Sequence, residues 1–444
     1  MSLFARSNPP TELLLREVHV LDPRAAINEP HDVLVREGQV AELGAPGALE
    51  PPAGAEIVEG AGKHLFPAFV DPHVHLRSPG QEHKEDLETG TRAAAAGGYC
   101  AVIAMPNTAP VIDGPALLRG LVAQAREQAR IPVGFLAAIS VGLRGEQLTE
   151  MALLREAGAL GFTDDGKPVA AAGLLRRALQ YQRLCGGVIA LHEEDLSLSG
   201  AGVMHEGAVS AELGLAGIPS ISEATMIARD GLIAADEGGR VHFQHLSARR
   251  SVQALAAARA AGARVSAEVT PHHLLLTDAE VRGLDTSFKM NPPLRSEDDR
   301  AALIDALRDG TIECIATDHA PHSRDEKMVP FEQAPMGTTG LETAFGALYS
   351  DLVLPGILTL ECLIERLTAA AALFDLVTPS VAVGAEANLC LVDLAAGWRV
   401  GEAGYESRSA NCAFAGRQLS GRVLLTIARG HVAYRERSFA LSPA

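Results

Sequence analysis

Residues 67–77 read PAFVDPHVHLR, an apolar run that ends in two histidines spaced two apart, His73 and His75, with Arg77 two positions further on. Along a strand, residues i and i+2 face the same way. The two imidazoles therefore leave the strand side by side, and Arg77 continues their face. Paired neutral imidazoles are a natural metal grip, although a lone His-x-His also recurs by chance. The rest of the chain decides whether an apolar strand ending in useful polar groups is a rule or an accident.

Seven more runs follow the same plan: YCAVIAMP (99–106), PVGFLAAIS (132–140), ALGFTDD (159–165), GVIALHEE (187–194), RVHFQHLS (240–247), RVSAEVTPHH (264–273) and IECIATDHA (312–320). Each is followed by an Ala/Leu-rich stretch of helical character. Runs that are apolar on both faces are what a parallel sheet covered by helices requires. Eight such units predict a closed (β/α)8 TIM-type barrel in preference to an open doubly wound sheet. No GxGxxG or GxxxxGK loop stands where a nucleotide fold would need one. Polar residues gather at one end of six of the eight runs: His73 and His75, Asn107, Asp164 and Asp165, His192, His245, and Asp318. In a (β/α)8 barrel the C-terminal strand ends build the active site.

The two ends of the chain are written differently. Residues 12–66 are short alternating segments such as ELLLREVHVLD and HDVLVREGQVAELG, cut by Pro and Gly, and the style returns in ANLCLVDL and GRVLLTIARGHVAYRER. They predict strands joined by turns, and together a small β-sandwich domain made from residues 1–66 and 381–444, with the barrel at 67–380 between them.

Of the 444 residues, 47% are apolar and 21% charged, which excludes a disordered chain. The net charge of −17 argues against nucleic acid or an anionic membrane as a partner, while leaving room for a small anionic substrate in a local basic pocket. The six cysteines include no CxxC pair and read as reduced thiols, not as a disulfide framework or a sulfur-ligated metal site. MSLFARSNPP lacks the apolar core of a signal peptide, and no stretch approaches a membrane span, so the cytoplasm is expected.

Four histidines with two carboxylates at one barrel mouth exceed what a single catalytic zinc with an open position needs. A binuclear site uses them all, with ions ~3.5–4 Å apart and a hydroxide between them; the strand end FTDDG offers the bridging anion. Asp318 can hold a metal with one oxygen and accept a proton with the other. Arg77 and His322 can bind a carboxylate, and Asn107 and Asn291 can read amide edges. The long, charged, Pro- and Gly-rich segment 319–338 reads as a mobile lid over the mouth.

In chain order, PAFVDPHVHLRSPGQEHKED, GFTDDG, LHEED, HLS, TPHHL, KMNPPLR and ATDHAPHSRDEK resemble the amidohydrolase superfamily, and within it the class I bacterial dihydroorotases, over about residues 60–345. The resemblance implies that His73, His75 and Asp318 hold one zinc and that His192 and His245 hold the other. Asp165 would bridge the two, where many superfamily members use a carboxylated lysine. Lys167 lies beyond the strand end beside Pro168, so Asp165 is preferred. Arg77, Asn107, Asn291, His322 and the backbone at Met336 and Gly337 would hold the substrate, with His75 beside it. The implied reaction is the reversible cyclisation of N-carbamoyl-L-aspartate to L-dihydroorotate in pyrimidine synthesis, with a zinc-bridged hydroxide and Asp318 as base and acid. A homodimer and an aspartate transcarbamoylase partner stay open. So do two rival readings: another cyclic-amide hydrolase of the hydantoinase or allantoinase type, and a catalytically dead partner of the transcarbamoylase.

Overall fold

A computed structural model describes residues 3–439 and 442–443. All eight apolar runs form strands, which are Phe69–Val74, Tyr99–Ala104, Val133–Ala137, Ala159–Phe162, Val188–Leu191, Arg240–Phe243, Arg264–Val269 and Cys314–Ile315. They pair in parallel, each with its neighbour in sequence. The ring closes where the first strand meets the chain beyond the eighth: Val74 bridges His319, and the His75 N–H donates to the His319 carbonyl at 2.9 Å. Asp71 reinforces that seam by accepting the Thr317 N–H at 3.1 Å and its hydroxyl at 2.5 Å. Burial pushes the Asp71 pKa up to about 7 despite these bonds.

The first strand ends at Val74. Arg77 adopts φ of 56°, a left-handed turn, so it does not continue the histidine face as an unbroken strand would require. It reaches the mouth from a loop instead.

Helices separate the strands and hold their spacing. Glu297–Asp309 shows how sequence sets both ends of one of them: the Ser296 side chain caps the start by accepting the Asp299 N–H, three acidic residues occupy the first turn, and Gly310 at φ 87° ends it. Its buried face, Leu303, Ile304, Ala306 and Leu307, packs into the layer between helices and barrel.

The chain ends share one nine-stranded sheet, in the order His431–Arg435, Gln418–Ala428, Leu389–Arg399, His64–Pro67, Leu13–Asp22, Ile27–Arg36, Gln39–Gly44, with Glu56–Glu59 and Ser442–Pro443 off this path. A bulge after Leu15, with Glu17 at φ 53°, divides Leu13–Asp22 into two halves. The first half pairs with Glu56–Glu59 and the second with His64–Pro67. The sheet thereby folds around a core of its own, which includes Leu13, Val20, Val33, Leu65, Leu389 and Leu425. The chain passes from this sheet straight into the barrel, where Phe66 and Phe69 both pack on Phe345. Among the described residues no helix is long and apolar enough to cross a membrane.

Candidate active site

A cavity of about 300 Å³ opens at the C-terminal ends of the barrel strands. It is lined by His75, Arg77, Asn107, Asp165, His192, His245, Asn291, Asp318, His322, Met336 and Gly337. The candidate site residues are here except His73, which lies fully buried next to His75, with ring centroids 5.3 Å apart, and Asp164, which is absent from the lining.

Just past the end of the fourth strand at Phe162, the two acids of FTDDG point different ways. Asp164 turns away and accepts the N–H groups of Ile139 and Ser140 at 2.8 and 2.9 Å, together with the Ser140 hydroxyl, which ties the ends of the third and fourth strands together. Asp165 turns inward. Its oxygens lie 3.3 Å from His73 Nε2, 3.5 Å from His75 Nε2 and 3.8 Å from His245 Nε2. Lys167 is exposed.

Two groups of converging donor atoms result, one of His73, His75 and Asp165, the other of Asp165, His192 and His245, with Asp165 common to both. Asp318 adds an oxygen 3.0 Å from His75 Nε2 and 3.5 Å from His73 Nε2. His192 Nδ1 stands 3.0 Å from His245 Nε2. Two buried nitrogens, His73 Nε2 and His245 Nδ1, have no hydrogen-bond partner. Unpaired polar atoms are costly to bury, so an orphan nitrogen facing two carboxylates marks a place where a cation fits.

The ring tautomers suit that purpose. Asn107 Oδ1, an acceptor, lies 2.9 Å from His75 Nδ1, and Glu268 Oε1 lies 2.7 Å from His73 Nδ1. Both rings must donate from Nδ1, so in the neutral ring the lone pair is on Nε2, facing the carboxylates, where a cation could take the place of a proton. Burial alone would lower the His73 pKa, but Asp165, Asp318 and Glu268 outweigh it and raise it. Burial would raise Asp318, but His73, His75 and His245 hold it below the ordinary carboxylate value. Asp165 is likewise held down, chiefly by His73 against its burial.

Several groups expected at the substrate already have protein partners. Asn107 Nδ2 donates to Asp165 Oδ2 at 3.1 Å, so this amide is engaged at both ends. Asn291 Nδ2 donates to Glu194 Oε2 at 3.0 Å. His322 Nε2 lies 2.9 Å from the Met336 carbonyl and must donate to it. Burial and the neighbouring Arg77 push the His322 pKa down to about 3, so the ring is neutral. The Gly337 N–H donates to the Lys289 carbonyl at 2.8 Å. Gly337 itself is required: at φ 135° an added Cβ would come within 2.7 Å of Ala320 Cβ. Arg77, one of the cavity-lining residues, is steadied by its Nε bond to the Pro321 carbonyl at 3.1 Å.

Sequence reading overlooked Glu268 and Asn411. Glu268 sits mid-strand within an apolar run, and Asn411 lies far along the chain from any motif. The Asn411 side chain accepts the His322 N–H at 3.0 Å and donates to the Ala320 and Gly337 carbonyls at 3.1 and 3.2 Å.

A family model described as "Dihydro-orotase-like" matches residues 62–251. The chain is 45% identical over 427 residues to the Dihydroorotase of Pelotomaculum thermopropionicum, a match that covers 96% of this chain and 99% of that protein. It is equally identical over 427 residues to the Dihydroorotase of Anaeromyxobacter dehalogenans, covering 96% and 98%. Among solved structures, the L-hydantoinase (dihydropyrimidinase) of Arthrobacter aurescens matches with a TM-score of 0.85 at 24% identity, over 98% of both chains. The D-hydantoinase of a Thermus species matches at 0.83 and 25%, over 96% of both. These two likenesses carry the fold.

Proposed function

The chain belongs to the dihydroorotase family of cyclic amidohydrolases, and from that premise we propose that it interconverts N-carbamoyl-L-aspartate and L-dihydroorotate at the barrel mouth. The observation that carries this reading is the 45% identity to proteins named Dihydroorotase along nearly the whole length of both chains. The site's chemistry agrees: Asp165, not a lysine, stands between the two donor groups.

The donor set fits a metal. Four imidazoles and two carboxylates, all buried, converge with orphan nitrogens among them, and nitrogen with oxygen donors suits zinc. We read the site as binuclear, with His73, His75 and Asp318 at one position, His192 and His245 at the other, and Asp165 shared. Bound there, two zinc ions would supply Lewis acidity, polarising a carbonyl and acidifying a water.

The chain's own residues do the rest. In hydrolysis a water oxygen bonds to the ring carbonyl carbon and the C–N bond breaks; Asp318 carries the water's proton to the leaving nitrogen. Ring closure reverses these steps and takes up one proton overall, because carbamoyl aspartate has two carboxylates and dihydroorotate one. Lower pH therefore favours closure. Arg77, the cation at the cavity wall, pairs with the carboxylate that stays outside the reaction. Asn107 and Asn291 line the same cavity toward the substrate, Asn107 bonded to His75 and Asn291 to Glu194. The six free cysteines agree with a reducing, cytoplasmic setting.

The test is an assay of the purified, zinc-loaded chain on dihydroorotate and carbamoyl aspartate, with hydantoin and allantoin as competing substrates. Turnover of the first pair in both directions is expected. Turnover of hydantoin with none of dihydroorotate would overturn the reading.

A further inference from the structure

Beneath the cavity, the barrel interior carries a charge that the reaction itself does not use. Glu268, on the seventh strand, has no exposed surface. Its Oε1 takes His73 Nδ1 at 2.7 Å and also the backbone N–H of His245 at 3.2 Å. Its Oε2 meets His242 Nε2 at 3.0 Å, and His242 Nδ1 in turn meets Ser266 Oγ at 2.9 Å. The Glu268 carbonyl also accepts the Leu246 N–H at 2.9 Å. The interior of such a barrel is ordinarily filled with apolar side chains, and a carboxylate buried there needs every one of these donors. His242, Glu268 and Cys314 lie close enough to group around an ion. The first two already hydrogen-bond each other, so their donor and acceptor atoms are matched without one.

We propose that Glu268 is a positioning residue that holds one ligand of each of the two metal positions through a single oxygen atom. On one side it makes His73 donate from Nδ1, so that the unpartnered Nε2 presents its lone pair to the first position. On the other it fixes the His245 backbone, which stands at φ 33°, a conformation a bulky residue adopts only when its surroundings impose it. The two positions are thereby linked through the protein as well as through Asp165. The inference rests on the two-metal reading above.

Its test is metal affinity, read without turnover. Full-length chain, Glu268→Gln and Ser266→Ala are titrated with Co²⁺ against a competing chelator, and the visible Co²⁺ spectrum is recorded at saturation. Glutamine keeps the size and one oxygen that can still accept both bonds, but it loses the charge that strengthens them, so the hold weakens. Both affinities of Glu268→Gln are expected to fall together, about tenfold to a hundredfold, and the saturated spectrum should change. Glu268→Asp, which keeps the charge and shortens the reach by one methylene, should lose at least as much and serves if the glutamine variant does not fold. Unchanged affinities and spectrum in Glu268→Gln and Glu268→Asp alike would overturn the proposal. So would an equal loss in Ser266→Ala, which touches the network only through His242. If the parent chain takes two ions and Glu268→Gln weakens only one, the shared hold fails while the two-metal reading stands. If the parent takes one ion or none, the two-metal reading fails and the shared hold with it.

Discussion

Arg77, His245 and Asp318 all lie at positive φ, 56°, 33° and 46°, and each stands just past a strand end at the barrel mouth. Left-handed backbone at a residue with a side chain is uncommon, and it concentrates where surroundings force a group into a working position. For Asp318 this shapes the choice of variant: asparagine tolerates the left-handed region, so Asp318→Asn keeps the turn, removes the proton acceptor and leaves an amide oxygen for a metal. We expect a loss of ~10²–10⁴ in both directions, with part of the metal retained through the amide oxygen. Full metal content with less than a tenfold loss would count against the assignment. At Arg77 the bond from Nε to the Pro321 carbonyl fixes the guanidinium plane. Lysine would keep the charge and lose both that anchor and the two-pronged grip. Arg77→Lys should lower kcat/KM on dihydroorotate more than tenfold, and a kinetically silent variant would make the arginine structural.

Among the larger elements, segment 319–338 departs most from its appearance in the sequence. Its charges suggest a mobile lid, yet two of them, Glu326 and Lys327, are fastening points. Lys327 is buried, with Nζ donating to the carbonyls of Pro335 at 2.8 Å and Thr286 at 2.9 Å, and burial pushes its pKa down to about 7. Glu326 pairs with Lys84 at 2.8 Å. Asn411, from beyond the barrel, ties both ends of the segment at once. Asn411→Ala would leave one N–H and two carbonyls short of a partner in a buried place, each an expensive vacancy. We expect KM for dihydroorotate to rise about tenfold, equivalent to roughly 1.4 kcal/mol, with kcat changed less, and trypsin to cut sooner at Arg324. Steady-state kinetics and timed proteolysis check this; unchanged values in both would mean the segment is held elsewhere.

For the whole molecule, the site joins strands from around the ring: the first, fourth, fifth and sixth, and the segment after the eighth, all send groups to it. A metal ion bound there would stabilise the native barrel and not the unfolded chain. At about a hundredfold above its Kd an ion would contribute about 2.7 kcal/mol. Chelation should therefore lower the thermal midpoint by several degrees, and added zinc should restore it. A midpoint indifferent to chelator would argue against metal at this site.

The sequence by itself determined the barrel and the membership of its mouth. Strands apolar on both faces can be buried only in a covered parallel sheet, and polar residues at their ends can then lie only at the rim. His73, His75, His192, His245 and Asp318 were legible for that reason. Only the tertiary structure decided how those groups are held. That Asp164 pins a strand end while Asp165 faces the histidines depends on how the chain turns just past the fourth strand. That Asn107 steadies His75, and that Glu268 and Asn411 belong to the site at all, depends on contacts between residues 32, 195 and 89 positions apart in the chain. Such contacts leave no local period or spacing to read, because hydrogen-bond partners across a barrel are set by where the strands meet and not by their order along the chain.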